Sequence, residues 1–289
     1  MTKIKLIATD MDGTLLDEAR AVSTENIRII KEAQRLGIKV IVATGRDYTE
    51  AVFPLKEAGL RLPLICVNGA DIRKEDGEIL HQQTLSTEQF KKMDRILTEE
   101  EVYFEIYTSK GAYTNDEKQG LQLVVDVLLT TGAYSSYDNA LKLAEKRFEE
   151  GAINRVDNYL TLLEKSGYQL FKLLAFSKDD VKRERAKRRL EEELEITISA
   201  SANDNLEITN KSATKGNGLE IMSKHYNIDL PETMVLGDNF NDVSMMKVAG
   251  YAVAMENADP VIKALCDLVT KSNEEDGVAH AIQKVIPNL

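Results

Sequence analysis

Three short apolar runs alternate with two helical patterns near the N-terminus, and this alternation restricts the fold more than any other feature of the sequence. The runs cover residues 4–9, 38–43 and 64–67. Ser23 is a typical helix N-cap residue before the first helical pattern, and Asp47 begins a capping-box spacing before the second. A strand–helix–strand–helix–strand series with short links predicts parallel strands joined by right-handed crossovers.

The middle of the chain differs, because short strands mix there with longer, charged helices. The predicted elements are a hairpin around Ser109-Lys110-Gly111, a mainly helical stretch over 117–165, a strand over 170–176, a solvated helix over 179–193, and a strand pair over 196–200 and 206–209. We therefore predict an inserted α+β domain over residues 84–210.

The first pattern resumes after the insertion. It predicts a helix from Lys215 to about Tyr226, strands over 234–236, 251–255 and 268–270, and a closing helix over 277–285. The expected fold class is α/β, with a doubly wound parallel sheet. Residues 1–83 and 211–289 form this discontinuous core domain in the prediction.

The composition is that of a globular protein with more acidic than basic residues. The 289 residues carry a formal net charge of −11, which does not favour nucleic acid or an anionic membrane as a partner. Cys66 and Cys266 stand in apolar contexts, which predicts buried free thiols. The first strand begins after residue 3, and no apolar run approaches ~20 residues. We therefore expect a cytoplasmic protein, and the oligomeric state stays open.

Carboxylates follow two of the predicted strands. Asp10 and Asp12 come directly after the first strand, and Asp238 follows the strand over 234–236. Because the carboxyl ends of parallel strands lie at one edge of a sheet, these side chains should converge. Three crowded carboxylates require a cation, and an all-oxygen site suits Mg²⁺. The sequence therefore predicts a magnesium site formed by these three residues.

Hydrogen-bond donors are predicted at the same edge. Thr44, the Gly45 backbone, Lys215 and the Asn241 amide are donors of the kind that a bound phosphoryl group requires. Asp10, directly at the strand end, is the better nucleophile and would form an aspartyl-phosphate. Asp12 is placed to protonate the leaving oxygen and then to activate water. Together, these residues predict phosphoryl transfer.

Four motifs carry a resemblance to a known family. They are Asp10-Met11-Asp12-Gly13-Thr14, Thr44-Gly45-Arg46, Lys215-Gly216, and Gly237-Asp238-Asn239-Phe240-Asn241-Asp242. Their order and spacing resemble the haloacid dehalogenase superfamily and its Cof-type phosphatases. The resemblance implies a Rossmann-like core with an inserted α/β cap, Mg²⁺ as cofactor and small phosphate esters as substrates.

The resemblance also implies roles for single residues. Asp12 would bind the metal through its backbone carbonyl, the Met11 backbone would contact phosphate, and Asp242 would orient Lys215 or the metal's waters. Arg46 could bind substrate or form a salt bridge in the core domain. The chain departs from the family at Glu256, where relatives often have glycine.

The predicted function is hydrolysis of a small phosphorylated metabolite, most simply a sugar phosphate, with Mg²⁺. A phosphosugar mutase would use the same aspartyl-phosphate, and a regulatory protein could bind a phosphometabolite at a silent site. His81, His225 and His280 are scattered in the sequence, and we expect no catalytic role for them. The sequence leaves the substrate and the cap residues that contact it undetermined.

Overall fold

The structure is a computed structural model that describes residues 3–130, 136–149, 151–199 and 204–286. The chain divides into two compact units. The first comprises Met1–Gln83 and Ser212–Leu289, and the second comprises Thr84–Lys211. Within the described ranges, no helix combines the length and the apolar character that crossing a bilayer requires.

The described N-terminal part of the first unit contains five strands and two α-helices. They are β1 (Leu6–Thr9), α1 (Thr24–Arg35), β2 (Lys39–Ala43), α2 (Tyr48–Glu57), β3 (Leu64–Cys66), β4 (Asp71–Arg73) and β5 (Ile79–Gln82). Both predicted N-caps are confirmed, since the Ser23 side chain accepts a hydrogen bond from the Asn26 amide and the Asp47 side chain accepts one from the Glu50 amide.

The second unit is an α+β structure. Its elements are α3 (Thr87–Glu99), β6 (Tyr103–Thr108), β7 (Gly111–Thr114), α4 (Glu117–Thr130), α5 (Tyr137–Glu149), β8 (Asn154–Arg155), α6 (Tyr159–Leu163), β9 (Leu170–Phe176), α7 (Asp180–Glu193), β10 (Ile196–Ser199) and β11 (Asn205–Asn210). The predicted hairpin is confirmed as the antiparallel pair β6–β7, and β10 pairs antiparallel with β11. The prediction missed β8, which is two residues long and has no apolar pattern. Parts of two predicted elements, residues 131–135, 150 and 200, lie outside the described residues.

In the C-terminal part of the first unit, the predicted helices and strands are confirmed, and the structure adds a short helix over Pro260–Lys263 that was not predicted. The elements of this part are α8 (Lys215–Tyr226), β12 (Thr233–Gly237), α9 (Val243–Val248), β13 (Tyr251–Ala254), α10 (Pro260–Lys263), β14 (Leu268–Val269) and α11 (Gly277–Val285).

The sheet of the first unit has the strand order β14-β13-β12-β1-β2-β3-β4-β5. The six strands from β14 to β3 are parallel, as predicted, while β4 and β5 add an antiparallel edge that the sequence did not reveal. From β1 the chain continues to β2 on one side, and after the second unit it returns to β12 on the other. The crevice at the carboxyl ends of β1 and β12 is therefore a topological switch point, where ligands bind in such sheets.

Helices cover both faces of this sheet. One face packs against α8, α9 and α10 through a buried cluster that includes Leu6, Ile41, Ile65, Leu219, Met222, Met245 and Ile262. Helix α1 packs against β2 and α11 through other residues, with Ile29, Ile30 and Ala33 buried. The predicted α/β class with a Rossmann-like, doubly wound sheet is confirmed. Cys66 is buried as predicted, whereas Cys266, after α10, is only half-buried; both are free thiols.

The second unit has its own sheet and core. The sheet order is β10-β11-β9-β6-β7-β8. Helices α3, α6 and α7 cover it through a buried cluster that includes Phe90, Ile96, Phe104, Tyr159, Leu173 and Leu190. The polar helix α7 buries only Ala186 and Leu190, so the prediction of a solvated helix is confirmed.

Candidate active site

Lys215 lies at the centre of the candidate site. It begins α8, and its fully buried ammonium contacts Asp10 Oδ1 at 2.5 Å and Asp242 Oδ1 at 2.6 Å. Burial alone would lower the pKa of Lys215, but the two carboxylates outweigh it and raise the pKa above its ordinary value. A lysine in this position stays charged, so it supplies a fixed positive charge at the end of β1.

The start of α8 is held in place by its neighbours. Thr214 is the N-cap, and its side chain accepts a hydrogen bond from the Asn217 amide. The Gly216 amide donates to Ser244 Oγ at 3.0 Å, and a Cβ on Gly216 would lie 2.4 Å from the Ser244 carbonyl oxygen. Only glycine allows this approach of α8 to α9. These contacts fix the point from which the Lys215 side chain projects.

Asp242 fixes the loop that follows β12. Its Oδ2 accepts hydrogen bonds from the backbone amides of Asp238 and Asn239, each at 3.0 Å, while its Oδ1 accepts from Lys215. The side chain is fully buried. Buried charges are tolerated when they are paired and hydrogen-bonded, and Asp242 meets both conditions. It therefore links Lys215 to the backbone next to Asp238.

Three carboxylates crowd together beside the Lys215 ammonium. Oxygens of Asp10, Asp238 and Asp242 all lie within 4.8 Å of one another. Burial and then repulsion by Asp242 and Asp238 raise the pKa of Asp10 well above its ordinary value, although Lys215 pulls it down. Burial and repulsion by Asp242 also raise the pKa of Asp238. This all-oxygen set with surplus negative charge fits a hard divalent cation.

The Asp12 side chain lies outside this cluster. Its carboxylate is 57% exposed and accepts a two-point ion pair from Arg46, with Nε at 2.8 Å and the second nitrogen at 2.5 Å. Arg46 therefore forms a salt bridge, one of the two roles considered for it from sequence. Because the planar guanidinium contacts both carboxylate oxygens, it fixes the orientation of the Asp12 carboxylate. The predicted metal contact through the Asp12 backbone carbonyl stays a prediction.

The predicted phosphate-binding residues surround the same crevice. Thr44 is fully buried and its Oγ1 accepts a hydrogen bond from the Arg46 amide at 3.1 Å. The Asn241 amide group donates to Asn68 Oδ1 at 3.1 Å, and Asn241 Oδ1 is a buried oxygen without a partner in the described structure. The Met11 carbonyl closes the turn after β1 by accepting from the Leu15 and Leu16 amides at 3.0 and 2.9 Å.

Sequence reasoning missed some residues that hold these groups. Thr14 Oγ1 donates to Asp238 Oδ1 at 2.8 Å, and Asn257 Nδ2 donates to the Gly13 carbonyl at 2.8 Å. Asn68 lies just beyond the carboxyl end of β3, so the rule that placed Thr44 at the sheet edge applies to it as well.

The remaining polar residues singled out from sequence lie elsewhere. His81 contacts Gln83, His280 contacts Thr270, and His225 packs against Tyr226. Glu256 is exposed and does not adopt a positive φ, so no glycine is required at that position.

Comparison with known proteins gives concordant results. Residues 7–282 match the family of haloacid dehalogenase-like hydrolases. The phosphatase YwpJ of Bacillus subtilis is 32% identical over 98% of this chain and 100% of its own. The 5-amino-6-(5-phospho-D-ribitylamino)uracil phosphatase YwtE of the same organism is 32% identical over 98% of each chain. A solved haloacid dehalogenase-like hydrolase from B. subtilis superimposes with a TM-score of 0.82 and 32% identity, covering 98% of this chain and 100% of that one.

The match and the geometry agree with one another. The family match spans nearly the whole chain. The residues that carry the four motifs lie on the same edge of one sheet, at its topological switch point. The chain therefore belongs to the haloacid dehalogenase-like hydrolases, in the Cof-type subgroup, and is a phosphatase.

Proposed function

We propose that the protein is a Mg²⁺-dependent hydrolase of small phosphate monoesters that acts through an aspartyl-phosphate on Asp10. The observation that carries the proposal is the buried contact of Lys215 with Asp10 and Asp242, next to Asp238. This arrangement orients a carboxylate at the switch point and keeps a positive charge beside it. Phosphoryl transfer needs a nucleophile and a positive charge that stabilises the phosphoryl oxygens.

The reaction proceeds in two steps. A carboxylate oxygen of Asp10 attacks phosphorus, the bond from phosphorus to the ester oxygen breaks, and Asp12 gives its proton to that oxygen. Ionised Asp12 then takes a proton from water, whose oxygen attacks the same phosphorus. The bond between phosphorus and Asp10 breaks, which releases inorganic phosphate and restores the carboxylate.

The other residues bind and orient in this scheme. Lys215, Thr44, Asn241 and the backbones of Met11 and Gly45 hold the phosphoryl oxygens. Asp10, Asp238 and the Asp12 backbone carbonyl would hold Mg²⁺. When bound, this ion supplies positive charge that offsets the charge developing on the phosphoryl group.

Supporting residues orient the reacting groups. Asp242 orients Lys215, because it accepts from the ammonium and from two backbone amides at once. Arg46 holds both Asp12 carboxylate oxygens in the structure, so in this scheme the ion pair opens before Asp12 takes up a proton and gives it to the leaving oxygen.

The second unit is the candidate for substrate selection. We propose that the inserted domain predicted over residues 84–210 acts as a cap and that the core domain does the chemistry. A sugar phosphate is the first candidate substrate. The 32% identity to a 5-amino-6-(5-phospho-D-ribitylamino)uracil phosphatase adds a phosphate ester of a polyol chain as the second.

A phosphate-release screen over a panel of metabolites, with Mg²⁺ or with a chelator, tests the proposal. We expect release from sugar phosphates or from the ribityl compound only when Mg²⁺ is present. Isomerised sugar phosphate without free phosphate would identify a mutase. No release from the panel or from a generic aryl phosphate would favour a silent binding protein. Equal rates in the chelator would contradict the metal requirement.

Gly13 offers a separate test of the metal site. Its φ is +75°, and a Cβ would lie 2.5 Å from Asp238 Oδ2. We expect Gly13→Ala to displace Asp238 and to raise the Mg²⁺ concentration for half-maximal activity by about 10–100-fold, as changes around metal ligands do. Gly37→Ala is the matched control, because φ there is +81° and nothing lies within 4 Å of the added carbon. The same Mg²⁺ dependence in both variants would contradict the assignment of Asp238.

A further inference from the structure

The turn after β3 adopts backbone dihedral angles that its residue types do not favour. Val67 and Asn68 have φ values of 49° and 53° in succession, followed by Gly69 at 109°. Asparagine tolerates the left-handed region, but a β-branched valine rarely adopts it. Such conformations persist only where surrounding contacts impose them, and they cluster at functional sites. The contacts of this turn therefore indicate its role in the site.

The turn is bound to the segment that carries Thr44. The Asn68 amide donates to the Thr44 carbonyl and the Val67 amide donates to the Arg46 carbonyl, each at 2.9 Å. The left-handed backbone makes these bonds possible, because it directs the two consecutive amides toward the same segment. They fix the backbone around Gly45, which is predicted to contact phosphate.

The Asn68 side chain reaches a second part of the site. It is 8% exposed, and its Oδ1 accepts a hydrogen bond from Asn241 Nδ2 at 3.1 Å. The same oxygen would lie 3.4 Å from a Cβ on Gly45. Asn241 Oδ1 has no partner in the described structure, so the bond to Asn68 is the side-chain hydrogen bond that orients the Asn241 amide there.

The turn also meets the helix that carries Lys215. A Cβ on Gly69 would lie 2.3 Å from the carbonyl oxygen of Thr214, the N-cap of α8. Only a glycine with positive φ allows the two backbones to approach so closely. The Val67–Gly69 turn thus contacts the segments of three predicted phosphate ligands: Thr44, Asn241 and Lys215.

We propose that Asn68 is a positioning residue of the phosphate site, which acts by orienting the Asn241 amide toward the bound phosphoryl group. The inference rests on the proposed function, because it assigns Asn241 to phosphate. Since an amide rotates freely without a partner, loss of the Asn68 oxygen would leave Asn241 with several orientations. Phosphate would then have to order it at the cost of affinity.

Binding of inorganic phosphate in the presence of Mg²⁺, measured by calorimetry, tests the role without turnover. Glycine tolerates the left-handed backbone, so Asn68→Gly removes the side chain and keeps the turn. We expect Asn241→Ala to weaken phosphate binding about tenfold, as loss of one hydrogen bond to a charged group does. We expect Asn68→Gly to weaken it by up to the same factor, because phosphate must then order the Asn241 amide. The double variant should bind no more weakly than Asn241→Ala, because the two side chains act as one unit.

Asn227→Gly is the matched control. Asn227 is exposed at the C-terminus of α8 and has the same φ of 53°, so the change alters the backbone equally without touching the site. Its phosphate affinity should equal that of the wild type. Unchanged affinity in Asn68→Gly, or independent losses that multiply in the double variant, would overturn the positioning role alone. A wild-type protein that binds no phosphate would instead contradict the proposed function, and this role with it.

Discussion

Asp10→Asn should lower the rate of phosphate release by about a thousandfold or more, as removal of a covalent nucleophile does. Asparagine keeps the shape of the side chain and an oxygen that accepts from Lys215, but its amide is a far weaker nucleophile than a carboxylate. The measurement is release of inorganic phosphate from the best substrate of the panel under single-turnover conditions.

The same variant should fold at least as well as the wild type in a chelator. Burial and two neighbouring carboxylates raise the pKa of Asp10, which means that its ionised form is disfavoured in the metal-free fold. A neutral amide removes that repulsion, and Lys215 keeps its ion pair with Asp242, so the thermal midpoint should not fall. Asp76→Asn is the control, because Asp76 is exposed in the turn between β4 and β5 and its Oδ1 accepts from the Glu78 amide, as an asparagine oxygen can. Turnover by Asp10→Asn near the wild-type rate would refute the nucleophile assignment.

The strand ends could be predicted because their chemistry is local. Apolar runs identified β1, β2, β3 and β12, and the rule for parallel sheets placed Asp10 and Asp238 at one edge without knowledge of the packing. Lys215 followed from its position at a helix start. The Lys215 contacts with Asp10 and Asp242 then show that residues 205 and 27 positions apart meet, as the topology requires.

Other features could not be read from the sequence, for physical reasons. The Asp12 side chain lies in a loop, where no hydrophobic periodicity indicates the direction in which a side chain points. Only the structure shows its pairing with Arg46. The edge strands β4 and β5 are three and four residues long, too short for an apolar pattern to emerge. The role of Asn68 depends on two consecutive left-handed residues, one of them valine, which sequence preferences argue against.

Lys215→Met should destabilise the fold as well as abolish activity. Methionine nearly matches the length of lysine but leaves Asp10 and Asp242 without their shared cation in a buried place. Removing one partner of a buried ion pair costs about 3–5 kcal/mol in the free energy of unfolding. Denaturant unfolding in a chelator measures this loss. Lys224→Met is the control, since Lys224 is exposed on the same helix and should change stability little.

A double variant separates charge from packing in this prediction. In Lys215→Met/Asp242→Asn, the amide oxygen can still accept from the Asp238 and Asn239 amides, while one buried negative charge is gone. Stability should therefore recover by a large part of the loss, because the penalty is the uncompensated charge and not the shape of methionine. Activity should not recover, because phosphoryl transfer needs the positive charge itself. Equal stability of the single and double variants would mean that Lys215 acts by packing, and the charge-based account of the site would then be wrong.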